Sequence, residues 1–153
     1  MTATVRDARP PQALIRLMNP ALRALLPTPI GRLIAPFALL EFDGARTGRH
    51  YRVPVGWHDI DGRPVVFTPA RWRVNLRGGV AVTVHHRGRR YATTGTLDDD
   101  ADSVAASLRL LAIARGSLRA VGIQLGPGHE IDPPDVRTLD RAAIRFEPEL
   151  RYR

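Results

Sequence analysis

Two dipeptides, Asp61-Gly62 and Arg87-Gly88, constrain this chain most, because each interrupts runs in which apolar and polar residues alternate. Residues 51–60 and 63–69 flank Asp61-Gly62. An Asp-Gly pair in that setting is a strong two-residue hairpin signal, since both turn positions need a left-handed backbone. Val80, Val82 and Val84 alternate with Ala81, Thr83 and His85 before Arg87-Gly88 turns the chain, and Tyr91, Thr93 and Leu97 continue the pattern. Residues 37–42 form a short apolar run, and near the end Ile144 and Phe146 alternate with Arg145 and Glu147. The pattern predicts about six antiparallel strands, the last brought back after a long excursion. Such a set with one apolar face tends to close into a small barrel, which also removes exposed strand edges.

Helical periodicity frames the strands. Residues 1–10 are polar, run into Pro10-Pro11 and are expected to fray. Leu14, Leu17 and Met18 then recur at helical spacing. Asn19 as N-cap and Pro20 as first helical residue predict two short helices, 12–18 and 20–26. Arg16 and Arg23 make residues 12–26 basic and amphipathic, a face suited to packing on the core and, as a lesser expectation, to weak contact with a membrane surface. Residues 72–77 are long enough for one or two helical turns. Residues 102–115 carry Val104, Leu108 and Leu111 on one stripe, with Asp98, Asp99, Asp100 and Asp102 at the start and Arg115-Gly116 at the end. That acidic cluster reads as a solvated turn and helix cap in preference to a metal site. Residues 116–135 are rich in Gly and Pro and are expected to form a loop over the barrel. Without repeats or a linker, residues 1–153 form one domain, of mainly β (α+β) class, with N-terminal and inserted flanking helices.

Composition excludes much chemistry. There is no Cys, hence no disulfide, thiolate metal site or cysteine nucleophile. His85 and His86 are adjacent on a predicted strand and so point to opposite faces. No serine stands in a Gly-x-Ser-x-Gly elbow, and no dinucleotide-binding glycine motif or Walker loop is present. What suits such a chain is a reaction carried by a bound cofactor, which asks of the protein only binding, orientation and a dry site. No signal segment and no run of 18 apolar residues is visible, so a cytoplasmic location is expected.

All 23 basic residues are Arg, and the formal net charge is +8. Between Gly44 and Tyr91 stand ten Arg and two acids, so the whole excess falls on that segment. Such a field attracts an anion. Inside it, the turn Gly44-Ala45-Arg46-Thr47-Gly48-Arg49 offers the hydroxyl of Thr47, a close backbone approach at Gly48 and, with Arg52 beyond it, forked guanidinium donors suited to phosphate. An ordinary hairpin corner with arginines in water fits the same residues. Trp72 and Asn75 are three apart, on one face of the short helix. They offer a flat wall and an amide to a ligand, or an indole plug for the barrel mouth.

The run Gly44-x-Arg46-Thr47-Gly48-Arg49-x-x-Arg52-Val53-Pro54-Val55, followed by Val65-Val66-Phe67-Thr68, Trp72-x-x-Asn75-Leu76 and the 80–84 strand, resembles the deazaflavin-dependent nitroreductase family. That family belongs to the flavin/deazaflavin oxidoreductases with a split β-barrel fold. The resemblance covers residues 37–97 and 141–147. It implies a split β-barrel that binds the 8-hydroxy-5-deazaflavin coenzyme (F-420), or FMN in related branches. It further implies hydride transfer between that cofactor and a small electron acceptor: a quinone, nitro compound or activated alkene. Carried over residue by residue, Arg46, Thr47 and Gly48 would hold the cofactor phosphate. Arg52 and Pro54 would lie beside the cofactor, and Trp72 and Asn75 would close its pocket. No residue is assigned to a proton step, and both monomer and homodimer fit. Only Ala70-Arg71 separate Pro69 from Trp72, where the family usually has a longer Gly-rich segment. That difference motivates an alternative, a non-catalytic carrier of flavin, deazaflavin, heme or lipid on the same barrel. A basic nucleic-acid module is the third reading; few aromatics stand in the basic segment to stack bases.

Overall fold

The computed structural model describes residues 5–9, 12–34 and 36–147. In chain order the elements are strand β1 (Val5–Asp7), helix α1 (Gln12–Leu25), a 3-10 helix (Pro29–Ile34), β2 (Phe37–Asp43), β3 (His50–Gly56), β4 (His58–Ile60) and β5 (Arg63–Thr68). A second 3-10 helix (Arg71–Leu76) leads to β6 (Val80–His86), β7 (Arg89–Asp98) and helix α2 (Ala101–Arg115). A third (Arg119–Val121) precedes β8 (Ile123–Leu125), α3 (Pro133–Leu139) and β9 (Ala142–Glu147).

Both predicted dipeptide turns form. Asp61 and Gly62 have φ 53° and 77°, Arg87 and Gly88 54° and 73°, the sign pattern of a type I′ hairpin. They join β4 to β5 and β6 to β7. The main sheet has seven antiparallel strands in the order β3-β2-β6-β7-β9-β5-β4. Only Trp57 separates β3 from β4, so the first and last strands of the sheet are consecutive in the chain. The sheet therefore curls into a half-barrel, and the molecule is mainly β with flanking helices, of the split-barrel kind. It stops short of a closed shell: β3 and β4 are the two ends of the ladder and do not pair with each other.

The continuous strand expected over 51–60 breaks at Trp57. That residue is 4% exposed and fills the barrel interior, its ring 5.0 Å from both Phe146 and His86. Its backbone N–H donates outside the ladder, to Pro36 O at 2.8 Å. Burying an indole outweighs keeping two strands in one straight run.

Three further expectations are corrected. The two short helices are one, α1, with Pro20 inside it. A mid-helix proline loses one backbone hydrogen bond. Here α1 lies along β3 and leads into fully buried Leu26, and that packing holds the helix through the loss. The side chains of residues 12–17, Leu14, Arg16 and Leu17 among them, lie outside the described residues, as do residues 1–4 and 10. Residues 5–7, expected to fray, form β1 and pair with β8, Val5 opposite Leu125. Residues 116–135, expected as plain loop, contain β8, a 3-10 helix and the start of α3. This lobe is held by Arg141, whose side chain is 1% exposed. Its guanidinium donates to Leu139 O at 2.8 Å and Gly122 O at 3.1 Å, and it reaches Asp7 at 3.4 Å.

The sheet carries a core on each face. Leu40, Phe42, Trp57, Val84 and Phe146 pack inside the half-barrel. Leu108, Leu111, Ile123, Ile131 and Ala143 pack outside it, under α2 and α3. The predicted stripe of α2 is the buried one, Asp100 caps its first turn by accepting from Ser103 N, and Gly116 closes it at φ 75°. Asp98 of the acidic cluster binds the Ser103 hydroxyl at 2.6 Å and Arg145 at 2.9 Å.

Candidate functional site

Residues 44–49 join β2 to β3. Gly44 N donates to Arg49 O at 2.7 Å, Gly48 N to Gly44 O at 3.0 Å, and Arg49 N to Thr47 Oγ1 at 3.3 Å. Gly48 has φ 70°, and a Cβ there would meet nothing within 4 Å. The tip is thus an open, left-handed corner that glycine adopts without strain.

The 3-10 helix 71–76 comes to the same corner. Asn75 Oδ1 accepts from Ala45 N at 3.1 Å, while its Nδ2 donates to Trp72 O at 3.0 Å. Asn75 therefore brackets the turn to the short helix. Trp72, half-buried, packs on Phe42 at 5.7 Å, Phe42 stacks on Tyr51 at 5.2 Å, and the Arg49 guanidinium lies 5.4 Å over the Tyr51 ring. The corner and the indole are brought together as expected, by an aromatic ladder the sequence reading did not single out.

Several donors at the tip stay free. Among the described residues, the backbone N–H groups of Arg46 and Thr47 have no partner, and neither does the exposed Arg46 guanidinium. The Thr47 oxygen accepts from Arg49 N, and its own hydroxyl proton has no acceptor among the described residues. Two adjacent amides, a forked cation and a hydroxyl share one exposed turn, donor types suited to phosphate oxygens.

Arg52 and Pro54 are not part of this group. Side chains alternate along β3, so Tyr51, Val53 and Val55 face the inner core and Arg52 and Pro54 the outer face. Arg52 donates to Glu41 at 2.8 Å, and Pro54 stands opposite Leu39. Both lie across the sheet from Trp72, which corrects the expectation that they flank one pocket with it.

That outer face holds a polar cluster missed from the sequence. Glu41 takes His85 Nε2 at 2.7 Å, Arg52 at 2.8 Å and His50 Nε2 at 3.4 Å, while His50 Nδ1 meets Asp43 at 2.9 Å. Partial burial pushes Glu41 up, but the bonds from His85, His50 and Arg52 outweigh it and hold the carboxyl below its ordinary value. Asp43, then Glu41, raise His50. The signal was available only through register, since strand pairing sets Glu41 across from Arg52 and next to the His85 strand. His85 and His86 do face opposite ways: His86 packs on Trp57.

The local charge excess is partly neutralised by folding. Arg73 pairs with Asp140 at 2.7 Å, Arg77 with Asp99 at 3.3 Å and Arg52 with Glu41. All three acids come from outside residues 44–91.

No family model and no curated protein matches the chain. Among solved structures it is similar to the protein Atu2129 of unknown function from Agrobacterium tumefaciens, at 17% identity and TM-score 0.42, over 91% of this chain and 55% of that one. This chain thus spans little more than half the length of Atu2129. It is similar also to the conserved hypothetical protein Rv2991 from Mycobacterium tuberculosis, at 13% identity and TM-score 0.44, over 98% of this chain and 87% of that one. Neither likeness bears on ligand or activity. Among the described residues no helix is long and apolar enough to cross a membrane.

Proposed function

We propose that the 44–49 turn binds the anionic tail of a redox cofactor, the deazaflavin coenzyme F-420 or, as second choice, FMN, and that the protein is an oxidoreductase of the deazaflavin-dependent nitroreductase type. One observation carries the reading: unpartnered donors at Arg46 and Thr47 sit on a corner that Asn75 ties to the Trp72 helix. The residues fit the group in part. Arg46, Thr47 and the open backbone at Gly48 would hold phosphate oxygens. Asn75 positions the turn, because its amide oxygen is already taken. Arg52 has no part, since it faces away and pairs with Glu41. When bound, the cofactor would supply hydride to a quinone, nitro compound or activated alkene. The chain's own contribution is to fix the tail and so orient the ring, and proximity does most of the rest.

A second reading, a carrier that holds the same cofactor without turnover, is favoured by Trp72 being already packed on Phe42. Fluorescence titration with deazaflavin and with FMN tests both. Arg46→Ala is expected to weaken binding by about 1.5–3 kcal/mol, the scale of a charge-assisted hydrogen bond. Unchanged affinity would move the cofactor away from this turn. Binding without faster oxidation of the reduced cofactor by any acceptor would establish the carrier. Salt-sensitive binding of oligonucleotides with none of either cofactor would replace both readings.

A further inference from the structure

A second candidate site lies between α2 and strands β5 and β9. Two adjoining cavities of about 340 and 360 Å³ share Arg63, Ser107, Leu110 and Arg145 in their linings. No residue of the 44–49 turn or of the 71–76 helix lines these cavities, so nothing here depends on the cofactor reading.

Arg145 is the chemical feature of this groove. Its Nε donates to Asp98 at 2.9 Å, and one terminal nitrogen, Nη2, donates to Ser103 Oγ at 3.2 Å and Ser107 Oγ at 2.9 Å. The guanidinium is therefore held along one edge by three side chains. The other terminal nitrogen, Nη1, has no partner among the described residues. A fixed fork with one unused donor loses little entropy on binding an anion. Part of the wall is apolar: Leu110 is 46% exposed over the groove, and Val65, Ala106 and Pro64 also line it.

The charges around the groove select the anion. Asp98 offsets Arg145, and Asp61 lines the cavity that Arg63 also lines. The field is therefore close to neutral, which suits one negative charge and disfavours a phosphate dianion beside two carboxylates. Cavities of this size are at the lower end of those that enclose small ligands.

We propose that the α2–β9 groove binds a small amphipathic monocarboxylate, its carboxylate on Nη1 of Arg145 and its apolar body along Leu110 and Pro64.

Amide chemical shifts in a titration with octanoate test this, with octanol and octyl phosphate as comparison probes. The expected result is saturable binding of octanoate, with shifts centred on Ser107, Leu110 and Arg145, and weaker binding of both comparison probes by about tenfold or more. Arg145→Gln should abolish the preference for octanoate over octanol. Because Arg145 also ties three side chains together, Leu110→Glu is the companion variant: it alters only an exposed position, and should weaken octanoate about tenfold or more at unchanged melting temperature. The proposal fails if octanoate does not saturate, if shifts centre elsewhere, if octanol or octyl phosphate binds as well, or if Leu110→Glu leaves affinity unchanged.

Discussion

Arg46, at the tip of the β2–β3 turn, and Arg141, in the lobe before β9, carry the same side chain in opposite surroundings. The Arg141 side chain is 1% exposed, and its terminal nitrogens donate to the carbonyls of Leu139 and Gly122 and to Asp7, which ties the β1–β8 ribbon to the main sheet. Arg46 is exposed and has no partner among the described residues. One guanidinium is structure, the other is a donor still to be used. Counting arginines along residues 44–91 locates a field, but only the partners of each one separate the two roles. Arg52 and Arg73, in the same segment, turn out to belong with Arg141.

The sharpest way to break that contrast is Arg141→Leu. It leaves the Leu139 carbonyl without its donor, takes one of two donors from Gly122 O, which keeps Ala8 N, and strips Asp7 of a buried charge partner. The expected loss of stability is about 3 kcal/mol in urea unfolding. A loss below about 1 kcal/mol would mean the lobe does not depend on the guanidinium.

Acid should act through burial while sparing the turn. His58 is 5% exposed, its Nδ1 has no partner among the described residues, and burial, aided by the Arg115 charge, lowers its pKa from 6.5 to about 4. Between those values the unfolded chain binds more protons than the folded one, so stability rises with pH across that window. It is fully present above about pH 6.5, falls as pH drops towards 4 and levels off below, with a total on the order of 3 kcal/mol. In His58→Phe this part of the pH profile should flatten. An unchanged slope would assign it to other groups.

Arg46→Ala is the counterpart of the lobe variant. Stability should stay within about 0.5 kcal/mol, as at other exposed positions without partners, while cofactor affinity falls. Unfolding that shifts by more would show Arg46 to be structural after all. Asn75→Ala removes the bracket between Ala45 and Trp72 and should cost about 1 kcal/mol of stability, with a smaller loss of cofactor affinity than Arg46→Ala. If cofactor binding does not weaken, the turn's own bonds, Gly44 to Arg49 and Gly48 to Gly44, hold it well enough without the bracket.

Much of the half-barrel was legible from local rules. The left-handed demand of two-residue hairpins identifies Asp61-Gly62 and Arg87-Gly88, and α2 announces itself by its apolar stripe, Asp100 and Gly116. The corner was legible as a cluster of donors beside an indole. Its working arrangement was not. The resemblance sets Arg52 and Pro54 beside the cofactor, yet a period of two puts them on the far face. By residue type Asn75 is a ligand-holding amide, yet in the fold its oxygen accepts from Ala45 N. The Arg145 groove gave no local signal at all, because it joins Asp98, Ser103 and Ser107 to a strand some forty residues on.

By itself, then, the sequence determined the two hairpin turns, the ends of α2, the alternation of most strands and the concentration of positive charge between Gly44 and Tyr91. Tertiary structure alone decided that α1 runs through Pro20, that Trp57 breaks a strand to fill the barrel, that residues 5–7 pair with β8, and which arginines are left without a partner. The physical reason is range. Backbone preferences act over a few residues and are written locally, whereas burial and ion pairing depend on groups such as Arg73 and Asp140, which are 67 positions apart and meet only in the folded chain.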